Sequence, residues 1–253
     1  MPGETLMTIK AIIFDVNGTL IDIRTNEWHD EVYRVISNLL SYQGIMLKRE
    51  MVKSLYFQIM KEQRAAYGEL HPEFDAIYIF RQIIVQHATF FMLSLPTEKL
   101  EQLPRLLAEI HRAASRLRLQ TYPDVIEVIR QLHENYRLAI ITDSQIAYAI
   151  PELNAVGLSG YFNPVIISEH FGYRKPDPRL FLAALTDMAL NASEVVYVGN
   201  DMYRDVYGAQ SMGIKTVFFK SNQGAQEKEG VKADYIIYNF SELHNAIRYF
   251  ERR

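Results

Sequence analysis

The sequence predicts an α/β protein: a parallel β-sheet core, interrupted after its first strand by an inserted block of helices. Three observations carry this. The apolar run Ile12-Ile13-Phe14 leads straight into Asp15 and a Gly18-Thr19 turn, the pattern of a buried strand ending in a polar loop. From Glu27 to about Arg118 the apolar residues recur at helical spacing with almost no strand signal. Beyond Tyr122-Pro123, short wholly apolar runs alternate with amphipathic helices. Strands without polar alternation are covered on both faces, which is the property of a parallel sheet.

Taken in order, the first strand is expected over Ile9 to Phe14. Val32, Val35, Ile36, Leu39 and Leu40 form a helical stripe that Gly44 ends. A second helix runs from Met51 to Tyr67. A third starts at His71-Pro72 and carries the apolar run to Leu95. A fourth starts at Pro96-Thr97 and reaches Leu117, with Pro104 set to kink or split it. Helix 125–133, strand 137–141, helix 147–156, strand 164–167, helix 179–188, strand 195–198, helix 206–212 and strands 215–219 and 235–237 complete the series. The expected division is a core of residues 1–21 plus 121–253 and a helical cap of residues 22–120.

The chain has 253 residues, 49% hydrophobic and 23% charged, with net charge −3 and no cysteine. Disulfides and thiolate chemistry are excluded, and no basic face points to nucleic acid. No apolar run approaches the ~20 residues of a membrane helix, so no membrane partner is expected, and a cytoplasmic setting is. Residues 1–10 read as a short frayed tail, with Met7 an alternative start.

Ligands of an open parallel sheet bind at the carboxyl ends of its strands. Four segments deliver polar residues there. In Asp15-Val16-Asn17-Gly18-Thr19, the first carboxylate can attack an electrophile or simply cap a turn. In Thr142-Asp143-Ser144, small polar groups can bond substrate oxygens or cap a helix. In Lys175-Pro176-Asp177-Pro178, a lysine on a stiffened turn can balance anionic charge. In Gly199-Asn200-Asp201-Met202-Tyr203-Arg204-Asp205, carboxylates after a strand suit Mg²⁺ or the start of a helix.

These four segments, in this order, resemble the haloacid dehalogenase-like hydrolase superfamily, in the subfamily with a helical cap after the first strand of a Rossmann-like core. The resemblance covers about Ile9 to Phe219. It implies Asp15 as nucleophile, with Asn17, Thr142 and Lys175 in the catalytic set. Gly18, Thr19, Asp143 and Ser144 are implied on the substrate, and Asp15, Asn17, Asp201 and Asp205 on Mg²⁺. At the metal slot Asp201 is preferred to Asn200, because a charged oxygen holds Mg²⁺ better than an amide.

One departure matters. Where the family's phosphatases carry a second Asp, this chain has Asn17, which cannot exchange protons. General acid–base help contributes about 10²–10⁴-fold. The expected activity is a Mg²⁺-dependent phosphatase of a small phosphorylated metabolite, with an aspartyl-phosphate intermediate and another acid, such as Asp22, Asp143 or His29, in the missing role. The alternatives are 2-haloacid dehalogenation, which needs no such acid, and non-catalytic binding of phosphorylated ligands. A monomer or homodimer is expected. In the cap, Trp28 reads as core packing and His29 and His71 as helix-start residues. Arg24, Arg64 and Arg81 are candidates for substrate selection. Tyr78–Phe80 with Phe90–Met92 read as cap core or dimer face, and Ser221–Gly230 as a mobile loop.

Overall fold

The computed structural model describes residues 8–252, so most of the expected N-terminal tail, with Met7, lies outside the described residues. The core is a six-stranded, wholly parallel sheet. Its strands are β1 (Ala11–Phe14), β4 (Arg137–Thr142), β5 (Val165–Ile167), β6 (Val195–Gly199), β7 (Lys215–Phe219) and β8 (Tyr235–Ile237), in the order β5-β4-β1-β6-β7-β8. β1 lies at the centre, paired with β4 on one side and β6 on the other. Successive connections leave β1 in opposite directions, which opens a crevice at its carboxyl end.

Alternation along each buried strand feeds two cores. Ile12, Phe14, Ile140, Val196 and Val198 pack against α6 (Val125–His133) and α10 (Leu243–Glu251). Ile13, Ala139, Ile141 and Tyr197 face the opposite way, onto α8 (Pro178–Met188). Both faces are dry, as the unbroken apolar strands required.

The insertion is helical: α1 (Asp30–Tyr42), α2 (Arg49–Ala66), α3 (Ala76–Gln86), the short α4 (Phe90–Leu93) and α5 (Thr97–Ser115). α5 runs through Pro104 as one helix. A missing N–H and a fixed φ did not split it. The expected third helix is shorter at both ends, because the loop before Ala76 makes contacts with the core instead. The cap has its own apolar core, and Ala147 and Tyr148 of α7 (Ile146–Ala155) belong to it.

Two strands escaped the sequence. β2 (Ile21–Thr25) and β3 (Arg116–Thr121) pair antiparallel where the chain enters and leaves the insertion. β3 takes residues assigned to the end of the fourth helix. Its mostly exposed Arg-Leu-Arg-Leu-Gln-Thr pattern is held by its partner strand rather than by a buried face. This ribbon straddles the expected boundaries near residues 21 and 121.

Candidate active site

Asp15 stands one residue beyond β1, at the crevice, and its backbone N–H still donates to Val198 O at 2.9 Å. The carboxylate is buried and doubly engaged. Oδ1 accepts from Lys175 Nζ at 2.7 Å, and Oδ2 from Thr19 Oγ1 at 3.0 Å. Lys175 Nζ also meets Asp205 Oδ1 at 2.6 Å and Tyr197 Oη at 3.0 Å. Burial opposes the ammonium, but the carboxylates of Asp15 and Asp205 hold its pKa well above the usual lysine value. The lysine is therefore charged throughout the physiological range.

Asp205 does a second job. Its Oδ2 accepts from the N–H groups of Asn200 and Asp201, each at 3.0 Å, which fixes the turn after β6. The approach is so close that a Cβ on Gly199 would fall 2.4 Å from the Asp205 Cβ. Only glycine fits there.

Asp201 is occupied in a different way. Its Oδ1 accepts from the N–H groups of Tyr203 and Arg204, and its Oδ2 from Arg204 Nε and Ala225 N–H. Burial works against the anion, yet the donors from Arg204 and Ala225 keep its pKa below the ordinary value. The side chain that reaches Asp15's neighbourhood is Asn200: Thr19 Oγ1 lies 3.0 Å from Asn200 Oδ1. The contact toward Asp15 therefore falls to Asn200 and not to the preferred Asp201. The reason is local: Asp201 starts a helical turn and its carboxylate closes onto that turn, while the preceding residue faces the crevice. Among the described residues, no group of three or more His, Cys, Asp or Glu side chains could hold a metal. The side-chain oxygens that Thr19 Oγ1 gathers at this point are those of Asp15 and Asn200, each at 3.0 Å.

Gly18 takes φ +89°, and a Cβ on it would lie 2.3 Å from Asn200 Nδ2. The Gly18 and Thr19 N–H groups, expected on substrate, donate instead to Ile21 O and Val16 O. Among the described residues, the Val16 and Asn17 N–H groups donate to no loop or turn carbonyl. Thr142 ends β4 with its Oγ1 buried and unpartnered, and Asn17 Oδ1 is likewise unpartnered.

Asp143 accepts from Lys175 N–H at 2.9 Å through Oδ1, while Oδ2 is buried without a hydrogen bond, 3.7 Å from an Arg204 guanidinium nitrogen. Burial raises its pKa, against the opposing pull of Lys175. Ser144 is buried nearby, its N–H donating to Ser168 Oγ.

Above these groups lies a cavity of about 440 Å³ between core and cap, into which Asn17, Asp143, Arg204, Trp28, Arg64 and Glu73 project. Trp28 is 64% exposed and stacks on Phe57 with ring centroids 3.8 Å apart, so it is cavity wall rather than core. His29 caps α1 as expected. His71 does not start a helix. Its carbonyl accepts from Arg174 N–H, and its Nε2 lies 3.4 Å from Tyr203 Oη. Arg64 reaches the cavity, whereas Arg24 and Arg81 are exposed elsewhere. The cap's aromatic stretch is split, with Phe80 and Met92 buried and Phe90 and Phe91 exposed. Ser221–Gly230 is tied to the site through Ala225, whose N–H and C=O bond Asp201 Oδ2 and Met202 N–H.

Sequence reasoning missed three groups. Tyr197 hides in an apolar strand yet supports Lys175. Glu73 of the cap accepts from Ser168 Oγ at 2.6 Å, and its N–H donates to Gly172 O at 2.9 Å. Gln145 Oε1 accepts from Ala76 N–H. None carries a local pattern; only the tertiary fold joins them.

The family model for haloacid dehalogenase-like hydrolases matches residues 12–219. A glyceraldehyde 3-phosphate phosphatase of Pyrococcus abyssi is 32% identical over 215 residues, covering 84% of this chain and 82% of that protein. A HAD phosphatase structure from Thermococcus onnurineus superposes with TM-score 0.58 at 26% identity, covering 94% and 98% of the two chains. The 2-haloacid dehalogenase structure from Pseudomonas syringae pv. Tomato DC3000 has TM-score 0.67 at 22% identity, covering 96% and 100%, and attests to the fold alone. This chain belongs to the haloacid dehalogenase-like hydrolases. It is a hydrolase on an α/β Rossmann-like core, and among its described residues no helix is long and apolar enough to cross a membrane.

Proposed function

We propose that this hydrolase removes phosphate from a small phosphorylated metabolite in the cytoplasm, through a phosphorylated Asp15. The observation that carries the reading is the Asp15 carboxylate held at the sheet crevice by Lys175 and Thr19, beneath the cavity between core and cap. Asp15 attacks phosphorus, and the leaving alcohol departs with a proton. The Val16 and Asn17 N–H groups and the Thr142 hydroxyl face the transferring oxygens. Lys175 balances their charge, a service that is strongest where water is excluded.

Asn17 cannot supply the proton. Asp22 is spent on Arg118 at 2.6 Å and Gln223 at 3.0 Å, and His29 is an exposed helix cap. Asp143 is the acid the cavity offers: one oxygen anchored, the other unpartnered, its proton held above the usual pH by burial. Asp143 protonates the leaving oxygen, then takes a proton from the water that splits the aspartyl phosphate. The cycle returns both carboxyl groups to their starting states.

The residues present fit Mg²⁺ through Asp15, the Asn17 carbonyl and the Asn200 amide, with one charged oxygen among them. When bound, the ion would neutralise charge on the transferring group. Asp201 and Asp205 stay with their protein donors.

Phosphate release from p-nitrophenyl phosphate with Mg²⁺, its loss in EDTA, and a mass increment on Asp15 in quenched samples test this together. A second reading, substitution at a 2-haloacid, is favoured by one feature: both Asn17 and Asn200 are amides, so neither sets a second charged oxygen beside Asp15. Chloride release from 2-chloropropionate in EDTA distinguishes it.

A further inference from the structure

Four arginines line the cavity, and two of them are already paired. Arg112 Nε bonds Glu152 at 2.5 Å, and its NH1 bonds Glu27 at 3.1 Å. Arg204 is held by Asp201 at 3.0 Å and faces Asp143. The other two stand apart. Among the described residues, Arg64 and Arg174 make no side-chain hydrogen bond, and the Nε of each is buried without a partner.

Among the described residues, the one carboxylate within ion-pair range of Arg64 is Glu73, at 4.0 Å. Glu73 does not satisfy it. Its two oxygens accept from Phe74 N–H at 3.0 Å and Ser168 Oγ at 2.6 Å, and burial raises its pKa. Burial and then the neighbouring charge of Arg174 push the Arg64 guanidinium below its ordinary pKa. Two like charges thus face one space, and the Glu73 carboxylate beside them is hydrogen-bonded to Phe74 and Ser168 rather than to either guanidinium. A third donor joins them: Gln145 is 2% exposed, and its Nε2 is buried and unpartnered on the same cavity wall. Unpaired buried donors of this kind are costly, and a bound acceptor removes that cost.

We propose that Arg64, Arg174 and Gln145 form a subsite for a second anionic group, so the metabolite taken is a phosphate monoester whose non-reacting end carries a carboxylate or a further phosphate. The proposal rests on the phosphatase reading and narrows it. The cavity of about 440 Å³ suits a compact molecule of this kind. The guanidinium fork matches the paired oxygens of either group. Arg64 comes from the cap and Arg174 from the core loop that carries Lys175, so an anion between them also draws the two parts together.

The test compares 3-phosphoglycerate with glyceraldehyde 3-phosphate, which differ in carboxylate against aldehyde. The expected kcat/KM preference for the acid is at least tenfold. Arg64→Met and Arg174→Met should each cut that ratio about tenfold, and Arg174→Lys should restore part of it. Equal use of both substrates by the native enzyme, or an unchanged ratio in both variants, overturns the subsite. Propane-1,3-diol bisphosphate serves as a third arm. Its preference over 3-phosphoglycerate assigns a phosphate and the reverse assigns a carboxylate, and either supports the subsite. If no phosphoester is turned over, the phosphatase reading fails by itself. The subsite is then read by calorimetric titration of Asp15→Asn protein, where tighter binding of 3-phosphoglycerate than of the aldehyde supports it and equal binding overturns it.

Discussion

Lys175 places its ammonium 2.7 Å from Asp15, across 160 positions of sequence and inside a fully buried pocket. Removing one partner of a buried pair leaves the other uncompensated and costs about 3–5 kcal/mol. Lys175→Met is therefore expected to lower the melting temperature clearly and to abolish turnover. Because the folded pKa lies above the unfolded one, the lysine's stabilisation is complete below the ordinary lysine pKa and is lost only as pH rises through the higher folded value. Melts from pH 6 to 9 should show no loss assignable to it. A variant that stays active refutes the charge-balancing role.

Asp143→Asn keeps the acceptor for Lys175 N–H but has no proton to give. The expected loss is about 10²–10⁴-fold for alkyl phosphates. Measured on the first, Asp15-phosphorylating step in single turnover, the loss should be much smaller for p-nitrophenyl phosphate, whose leaving group needs no acid, since the later water step is common to both substrates. In the native enzyme, kcat for alkyl phosphates should fall as pH rises through the raised Asp143 pKa, and this limb should vanish in the variant. Equal losses on both substrate types would speak for a structural role alone.

Asn200→Asp adds a second charged oxygen beside Asp15. Mg²⁺ should bind at least tenfold more tightly, as measured by calorimetry on protein freed of metal. Asp201→Asn should leave Mg²⁺ affinity nearly unchanged, because its oxygens already serve Tyr203, Arg204 and Ala225. The opposite ranking would return Asp201 to the metal.

Glu169 accepts from Ile146 N–H and is raised to about 7, by burial first and with Asp75 adding to the effect. A raised carboxyl favours the folded state while protonated, so its contribution fades as pH climbs from about 4.5 to about 7. Glu169→Gln should flatten the fall in melting temperature across that window. An unaltered pH profile would show that Glu169 stays ionised.

How much was legible follows from which interactions are local. The strand-end placement of Asp15, Thr142 and Gly199 was readable because apolar runs announce buried strands. The cap helices were readable from their stripes. Asp201 was preferred for its charge alone, while its capping bonds depend on the turn that begins at Met202 and leave no local pattern. β3 was lost to a helix because its strand state comes from β2, far back in the chain. Tyr197, Glu73 and Gln145 act across 22 to 95 positions, beyond any local pattern.

The cap loop clasps backbone at Gly172 and Arg174, next to the residue whose ammonium steadies the nucleophile. Lifting the lid must therefore pull on the very strap that sets the electrostatics at Asp15. On the proposed mechanism, any separation of the two parts would then loosen the charge balance at Asp15 along with the cavity roof, tying attack to the closed arrangement.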